Sequence, residues 1–429
     1  MYYTDKYKKS RAKILKVNKS EGGIICRKRQ INKMDDIRKN KKKTAVRMIF
    51  LFYLIFSILT NMLNPVTPAL FLDLEMPDYM FGVGFACMAI ATFIFSPLWG
   101  RACRKIGCVN VFALGFLLYG CTQILFCIST KQLPILCCRF FGGVAYSAGV
   151  VASMSCLMDV AEEAEKYNFM LYHSAITTVG VALGYALGGI VGSVSVGMVF
   201  AVQITTLFVL MFCTKISLKE SMFVKTGTTI ESSKVVECSR SPMSKKSQLF
   251  LVIVFLSSFA TTSYDTAFTY YIKAALGFPN YWTGLIRGGI GIIALVVDFT
   301  VGVWIIRSNK ARKKIIYVFI LCSIAAWIAP QIEIVWVFVV ANFIFFTFNA
   351  LYIPVQQALA TDSKGEDNTS VAGRFTAVLF AGKVAGSLFE GGIYNYCNQL
   401  PFLAAGVIFL VAAFLSWINY RQNSCKVKR

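Results

Sequence analysis

Apolar residues occur along this chain in stretches of about twenty, separated by short polar connections, from about residue 46 onward. A transmembrane helix needs about 20 consecutive apolar residues, so each stretch predicts one membrane-spanning helix. The predicted spans, numbered 1 to 12, cover about 46–71, 80–98, 108–128, 134–158, 170–192, 196–213, 248–272, 282–304, 314–331, 334–357, 374–395 and 401–419. The pattern therefore predicts an all-α integral membrane protein with twelve transmembrane helices.

The spans form two groups of six, because a polar stretch rich in Ser, Thr and Lys separates span 6 from span 7. The predicted segments are a basic tail over 1–45, a six-helix half over 46–213, a linker over 214–247, a second six-helix half over 248–420 and a basic tail over 421–429. The N-terminal tail lacks apolar periodicity and is expected to be disordered. Two alternatives stay open for it: attachment to anionic lipid headgroups, and a translation start at Met34 or Met48.

Composition excludes a soluble protein, since 56% of the 429 residues are hydrophobic and only 15% are charged, against about 25% charged in soluble domains. The net charge is +23, and the first 47 residues, with 17 Lys or Arg and 4 Asp or Glu, account for +13 of it. More than half of the net positive charge therefore lies in one polar tail, so the net charge does not indicate nucleic-acid binding. No nucleic-acid partner is expected.

The distribution of basic residues predicts the orientation. Of the 44 Lys and Arg residues, 39 fall in the tails and connections on the N-terminal side of the membrane and two on the opposite side. Cytoplasmic loops carry the excess of Lys and Arg. We therefore predict a multi-pass protein of the plasma membrane with both termini in the cytoplasm.

The sequence gives little support for a catalytic site or a metal site. The 14 Cys are scattered and the chain has a single His, so no Cys/His metal box is expected. Isolated carboxylates and one His argue against a membrane-embedded enzyme. The linker has no P-loop pattern, which argues against ATP as the energy source.

Four local matches between the halves suggest a duplication, as in many transporters. ILTNMLNP (58–65) aligns with FATTSYDT (259–266) at an offset of 201, and Gly100 aligns with Gly302 at 202. Asp159 aligns with Asp362 at 203, and Gly188-Gly189 with Gly391-Gly392 at the same offset. Two related six-helix halves are predicted.

Three motifs within this frame resemble those of the major facilitator superfamily of secondary transporters. After span 2, GRACRKIG is similar to the family loop G-x-x-x-D-R-x-G-[RK]-[RK], although Arg104 stands where the family has Asp. In span 4, Arg139 and Gly143 keep the R-x-x-x-G spacing. In span 5, GVALGYALGG resembles the antiporter motif G-x-x-x-G-P-x-x-G-G, with Tyr185 in place of the proline.

The resemblance covers about residues 46–420 and implies the major facilitator fold, with two pseudo-symmetric halves that rock around a central cavity. It implies proton-coupled efflux of small organic or amphiphilic compounds, with the proton gradient as energy source and no cofactor. The expected partners are the lipid bilayer and a small-molecule substrate, and the protein is expected to be a monomer. Proton-coupled uptake of a sugar or organic acid, and a non-transporting receptor or scaffold, remain alternatives.

Ionisable residues inside the spans are the first functional candidates, because a charge in the hydrocarbon region is costly unless it has a partner or faces water. We predict that proton coupling and transport use Asp265, Glu390, Lys383, Arg139 and Arg287. The alternative for Asp265 is a static ion pair with Arg287. A sixth such residue, Asp298, is assigned a structural role.

The remaining candidates fall into three groups. The predicted substrate cavity contains Asn61, Asn64, Tyr264 and Phe346. The antiporter-like glycine motif contains Gly180, Gly184, Gly188 and Gly189, and the cytoplasmic gating loop contains Gly100, Arg104, Lys105 and Gly107. Pro65 and Pro68 predict a break in the helix of span 1.

Overall fold

The computed structural model describes residues 21–218, 245–306, 311–361 and 368–427, and their regular structure is helical. The described residues form fifteen α-helices. These are α1 (Glu21–Met62), α2 (Thr67–Asp73), α3 (Tyr79–Ile106), α4 (Cys108–Ile128), α5 (Gln132–Val160), α6 (Glu163–Val194), α7 (Val196–Ser217), α8 (Lys245–Ala274), α9 (Asn280–Val297), α10 (Val303–Ile306), α11 (Ala311–Ile328), α12 (Val335–Ala350), α13 (Tyr352–Thr361), α14 (Asn368–Tyr394) and α15 (Leu400–Val427).

These helices make the twelve predicted spans. Span 1 consists of α1 and α2, span 8 of α9 and α10 joined by the π-helical turn Asp298–Gly302, and span 10 of α12 and α13. Spans 2 to 7 are α3 to α8, span 9 is α11, and spans 11 and 12 are α14 and α15. Eleven spans are long and apolar enough to cross a membrane, and the 27-residue α14 is the twelfth. The predicted fold class is confirmed.

Span 1 is broken where its prolines predicted a break. Helix α1 ends at Met62, and α2 begins at Thr67 with proline in its first turn. Pro65 lies in the intervening turn and has no backbone N–H to continue the helical hydrogen bonds. The break turns Thr67 toward span 4, where its hydroxyl accepts a hydrogen bond from Arg139.

Two predicted segments differ in local structure. Helix α1 begins at Glu21, inside the tail that was expected to be disordered, since Lys and Arg favour helix and extending an existing helix requires no new nucleus. The last turns of α3, rather than a loop, contain Gly100, Arg104 and Lys105. Only Gly107 lies in the turn after α3, with φ of 96°.

The predicted linker is described only at its two ends, 214–218 and 245–247.

Each half has its own apolar core, and the core of the first half also includes Tyr270 and Tyr394 of the second half. In the first half span 1 packs against span 5 and span 2 against span 4, and in the second half span 7 packs against span 11 and span 9 against span 12. The halves meet mainly along two seams, one between spans 5 and 8 and one between spans 2 and 11, and span 7 also contacts α2 and span 2. Because the number of spans is even, the start of span 1, the end of span 12 and the linker lie on one side of the membrane. This side is called the terminal side below, and the opposite side is called the far side.

Candidate functional site

The seam between spans 5 and 8 is closed by glycines near the far side. A Cβ atom on Gly189 would lie 2.6 Å from the Cα of Gly284. Real Cβ atoms do not approach that closely, so this helix crossing requires the absence of a side chain. Asn280 strengthens the crossing, because its side-chain amide donates a hydrogen bond of 2.9 Å to the carbonyl of Gly192.

The seam between spans 2 and 11 repeats this crossing. A Cβ on Gly391 would lie 2.9 Å from the carbonyl oxygen of Tyr79, and one on Gly82 would lie 3.1 Å from the backbone nitrogen of Gly391. Gly82 and Gly284 are separated by 202 positions, as are Gly189 and Gly391. The two far-side crossings are therefore related by the duplication of the halves.

An ion pair lies beside the first seam. The Arg287 Nη1 atom donates a hydrogen bond of 2.6 Å to the Asp265 carboxylate, and the exposed fractions of the two side chains are 7% and 35%. Both residues belong to the second half, on spans 8 and 7. The ion pair named as the alternative for Asp265 is thus present, and the Asp265 carboxylate keeps an exposed surface beside the seam.

Tyr185 connects this ion pair to the other half. Arg287 Nη2 donates a hydrogen bond of 3.4 Å to the Tyr185 hydroxyl, and the guanidinium carbon lies 4.9 Å from the centre of the tyrosine ring. A cation over an aromatic face is attracted to it. Asp265, Arg287 and Tyr185 are called the cross-half cluster below. Sequence reasoning treated Tyr185 only as a departure from the antiporter motif and missed its role.

The other two predicted cations have no ion-pair partner among the described residues. Arg139 donates a hydrogen bond of 2.8 Å to the Thr67 hydroxyl and lies 4.7 Å from the centre of the Phe126 ring. Lys383 is half-buried on span 11, 5.7 Å from the Phe380 ring and close enough to Asp265 for electrostatic attraction. Lys383 therefore borders the cross-half cluster, whereas Arg139 is held within the first half.

The predicted cavity asparagines lie on span 1 next to the cluster. The Asn61 side-chain amide donates to the carbonyl of Ser57 at 2.8 Å, and that of Asn64 donates to the Asn61 Oδ1 at 3.0 Å. Asn64 also lies beside the Tyr185 hydroxyl. Both asparagines are half-buried, so they extend the polar surface of the cluster into the first half.

Tyr264 and Phe346 were predicted to line the cavity, and the structure places both in the packed interior. Tyr264 is 0% exposed and stacks on Phe345 at a ring distance of 3.7 Å. Phe346 is buried as well but lies 5.3 Å from the Arg287 guanidinium. Neighbouring helices enclose the Tyr264 side chain, whose surroundings periodicity alone left unassigned, so its place on a cavity wall stays a prediction.

Replacing Tyr264 with phenylalanine is expected to destabilise the protein. The Tyr264 hydroxyl donates a hydrogen bond of 2.8 Å to the Oδ1 of fully buried Asn342, and an unsatisfied buried acceptor costs about 1–3 kcal/mol. The melting temperature of the purified variant should fall, whereas Tyr281→Phe, at a tyrosine that is 38% exposed, should leave it unchanged. Equal melting temperatures for the two variants would contradict the structural role of Tyr264.

The glycine motif of span 5 divides between two contacts. Gly180, Gly184 and Gly188 face span 1 of the same half, where a Cβ on Gly184 would lie 2.5 Å from the carbonyl oxygen of Ile58. Gly189 faces the other half. The motif therefore supports packing within the half and also the crossing between halves.

Two halves of six helices that meet along paired seams match the fold expected from the sequence motifs. A family model described as Major Facilitator Superfamily matches residues 49–371, which is well over half of the chain. This chain belongs to the Major Facilitator Superfamily. It is accordingly a multi-pass transporter embedded in the lipid bilayer, not an enzyme, and it binds small-molecule substrates.

Two sequence relatives of this chain carry names of drug-resistance proteins. The chain is 23% identical over 385 residues to Multidrug resistance protein 2 of Bacillus subtilis, an alignment that covers 88% of this chain and 96% of that protein. It is 27% identical over 157 residues to the Quinolone resistance protein NorA of Staphylococcus aureus, covering 36% of this chain and 40% of NorA.

Solved transporters share the fold. A bacterial homolog of the human lysosomal transporter Spinster, in an inward-facing and occupied conformation, superposes with a TM-score of 0.70 at 12% identity, covering 88% of this chain and 96% of that one. The nucleoside transporter NupG superposes with a TM-score of 0.70 at 13% identity, covering 88% of this chain and 100% of its own. At these identities the similarity concerns the fold alone.

Proposed function

We propose that this transporter exports small organic, in part amphiphilic, compounds from the cell in exchange for protons, as a monomer in the plasma membrane. The terminal side is assigned to the cytoplasm, in agreement with the strong excess of Lys and Arg there. The names of the drug-resistance relatives support export. No cofactor is needed, because the proton gradient supplies the energy.

The observation that carries this proposal is the cross-half cluster. Arg287 is bonded within its own half to Asp265 and across the seam to Tyr185. Rocking that separates the halves must break the bond to Tyr185, because the two residues lie on different halves. A change in the charge of Asp265 therefore alters the contacts of Arg287, the residue that joins the two halves at this seam.

A coupling step follows from this arrangement. When Asp265 binds a proton it loses its negative charge, and the attraction that fixes Arg287 falls away. The exposed surface of Asp265 allows the proton to enter, and the half-buried Lys383 nearby is positioned to pair with the carboxylate when Arg287 moves. Arg139 and Glu390 remain candidate coupling residues.

Proton movement in proteoliposomes tests the proposal. A pH-sensitive dye is enclosed, a gradient is imposed, and cationic amphiphiles, sugars and organic acids are added in turn. We expect amphiphiles to dissipate the gradient and the other two classes to leave it unchanged. Dissipation only by sugars or organic acids would support uptake instead, and a gradient insensitive to every class would contradict proton-coupled export.

A further inference from the structure

Glu390 lies in the second seam, at the crossing of spans 2 and 11. Its residue exposure is 1%, and neither carboxylate oxygen has a hydrogen-bond partner among the described residues. A Cβ on Gly82, in the opposite half, would lie 2.7 Å from the Glu390 Oε2 atom. The contact with Gly82 of the opposite half is therefore part of what shields this carboxyl group from water.

The titratable groups that face Glu390 do not compensate a negative charge. Asp78, at the start of span 2, is a second carboxyl group near it and accepts a hydrogen bond of 2.6 Å from the Tyr270 hydroxyl of span 7. Tyr394 lies one turn further along span 11, and its buried hydroxyl has no partner among the described residues. Thr266 of span 7 contributes a neutral hydroxyl. No cation pairs with Glu390 in the described part of the chain.

Closing the seam over an ionised Glu390 is therefore costly. Burial of a carboxylate without a counter-ion is strongly unfavourable, and repulsion from Asp78 adds to that cost. The neutral acid avoids both penalties. Because closure buries the group and opening exposes it to far-side water, proton binding and seam closure must favour each other.

The duplication shows that helix packing does not require a carboxyl group here. A Cβ on Gly184 and one on Gly386 would both meet a backbone carbonyl of the paired span, that of Ile58 and that of Phe259. These contacts set the offset between spans 5 and 11 at 202, which aligns Glu390 with Gly188. Glycine, the smallest residue, thus occupies the equivalent position in the first half. Only the second half carries a carboxyl group at this position.

We propose that Glu390 is the proton-binding residue of a far-side lock, which holds spans 2 and 11 together when protonated and releases them when ionised. The lock rests on the proposed function in one respect: Glu390 gives the exchanged proton a second binding site, which the proton reaches from the far side. It is separate from the cross-half cluster, which lies at the other seam. Asp78 acts as a positioning residue that keeps Glu390 neutral while the seam is closed.

Hydrogen exchange of the purified protein in lipid nanodiscs tests the lock without substrate or gradient. Exchange of peptides covering residues 79–90 and 384–394 is followed over a pH series and corrected for the intrinsic pH dependence of amide exchange. One linked proton changes an opening equilibrium about tenfold per pH unit, so protection in the unmodified protein should fall about tenfold for each unit above the transition. Glu390→Gln should stay protected throughout.

Matched variants make the outcome decisive. Glu333→Gln neutralises an exposed far-side carboxylate and should behave like the unmodified protein. Asp78→Asn should move the transition to lower pH, because it removes the repulsion while keeping an acceptor for Tyr270. A pH-dependent opening that persists unchanged in Glu390→Gln would overturn the lock, as would an Asp78→Asn transition at the original pH.

The exchange and transport assays fail independently. If the pH-dependent protection is present but no compound class moves protons, the lock stands and proton-coupled export falls. If protons move with amphiphiles while the seam peptides show no pH dependence beyond amide chemistry, export stands and the lock falls.

Discussion

Asp265→Asn is expected to lower proton-coupled transport about a hundredfold while leaving the protein folded. Removing one partner of a fully buried ion pair costs about 3–5 kcal/mol, and the 35% exposure of the Asp265 side chain reduces that cost. The remaining free-energy cost falls on the conformations in which Asp265 holds Arg287 in place. A hundredfold fall in the transport rate corresponds to about 2.7 kcal/mol. The initial rate of gradient dissipation in proteoliposomes measures the effect.

Two further variants separate coupling from stability. Asp73→Asn changes an exposed carboxylate at the far end of α2 and should transport normally. The double variant Asp265→Asn with Arg287→Gln removes both charges, so it should recover the melting temperature lost in the single variant without recovering proton movement. Normal proton movement in Asp265→Asn would show instead that the pair with Arg287 is a static structural contact.

The membrane explains why so much of the fold could be predicted. Every span must be long and apolar enough to cross the hydrocarbon region, and that requirement is visible in a single sequence. The break in span 1 was predictable for a similar reason, since Pro65 has no backbone N–H wherever the helix lies. The start of α1 at Glu21 was missed because a helix outside the membrane needs no apolar run.

The candidate site could be predicted only in part, because it forms from side chains on different spans. Charge identified Asp265 and Arg287, and their opposite signs suggested the pair. Tyr185 carries no charge and matches no motif, so nothing in the sequence connected it with an arginine 102 positions away. The burial of Tyr264 was not predictable either, since an aromatic residue in a span is equally suited to a cavity wall and to a packed core.

Contacts in the structure correct the sequence alignment of the two halves by one residue. Matching the glycine pairs gave an offset of 203 and aligned Gly189 with Gly392. The structure aligns Gly189 with Gly391, because both close a seam, whereas a Cβ on Gly392 would have no neighbour within 4 Å. The one-residue correction is what brings Glu390 opposite Gly188. The other residue aligned at 203, Asp362, lies outside the described residues.

Gly189→Val is expected to prevent closure of the far side and to reduce transport about a hundredfold. A Cβ at this position would already lie 2.6 Å from the Cα of Gly284, and valine adds two methyl groups. Overpacking costs about 1–3 kcal/mol where side chains can adjust, and here the obstacle is backbone, so we expect the upper part of that range. Proton movement and hydrogen exchange of residues 280–287 measure the two consequences.

Gly392→Val is the matched control, since its Cβ has open space and the same residue type is introduced on the far side. It should transport normally and keep residues 280–287 protected. Gly82→Val, at the second seam, would meet Glu390 and the carbonyl of Ser387 and should reproduce the loss seen in Gly189→Val. Equal transport by Gly189→Val and Gly392→Val would mean that the crossing of Gly189 and Gly284 does not form during the transport cycle. If instead only one seam tolerates valine, the two halves do not close as one rigid unit.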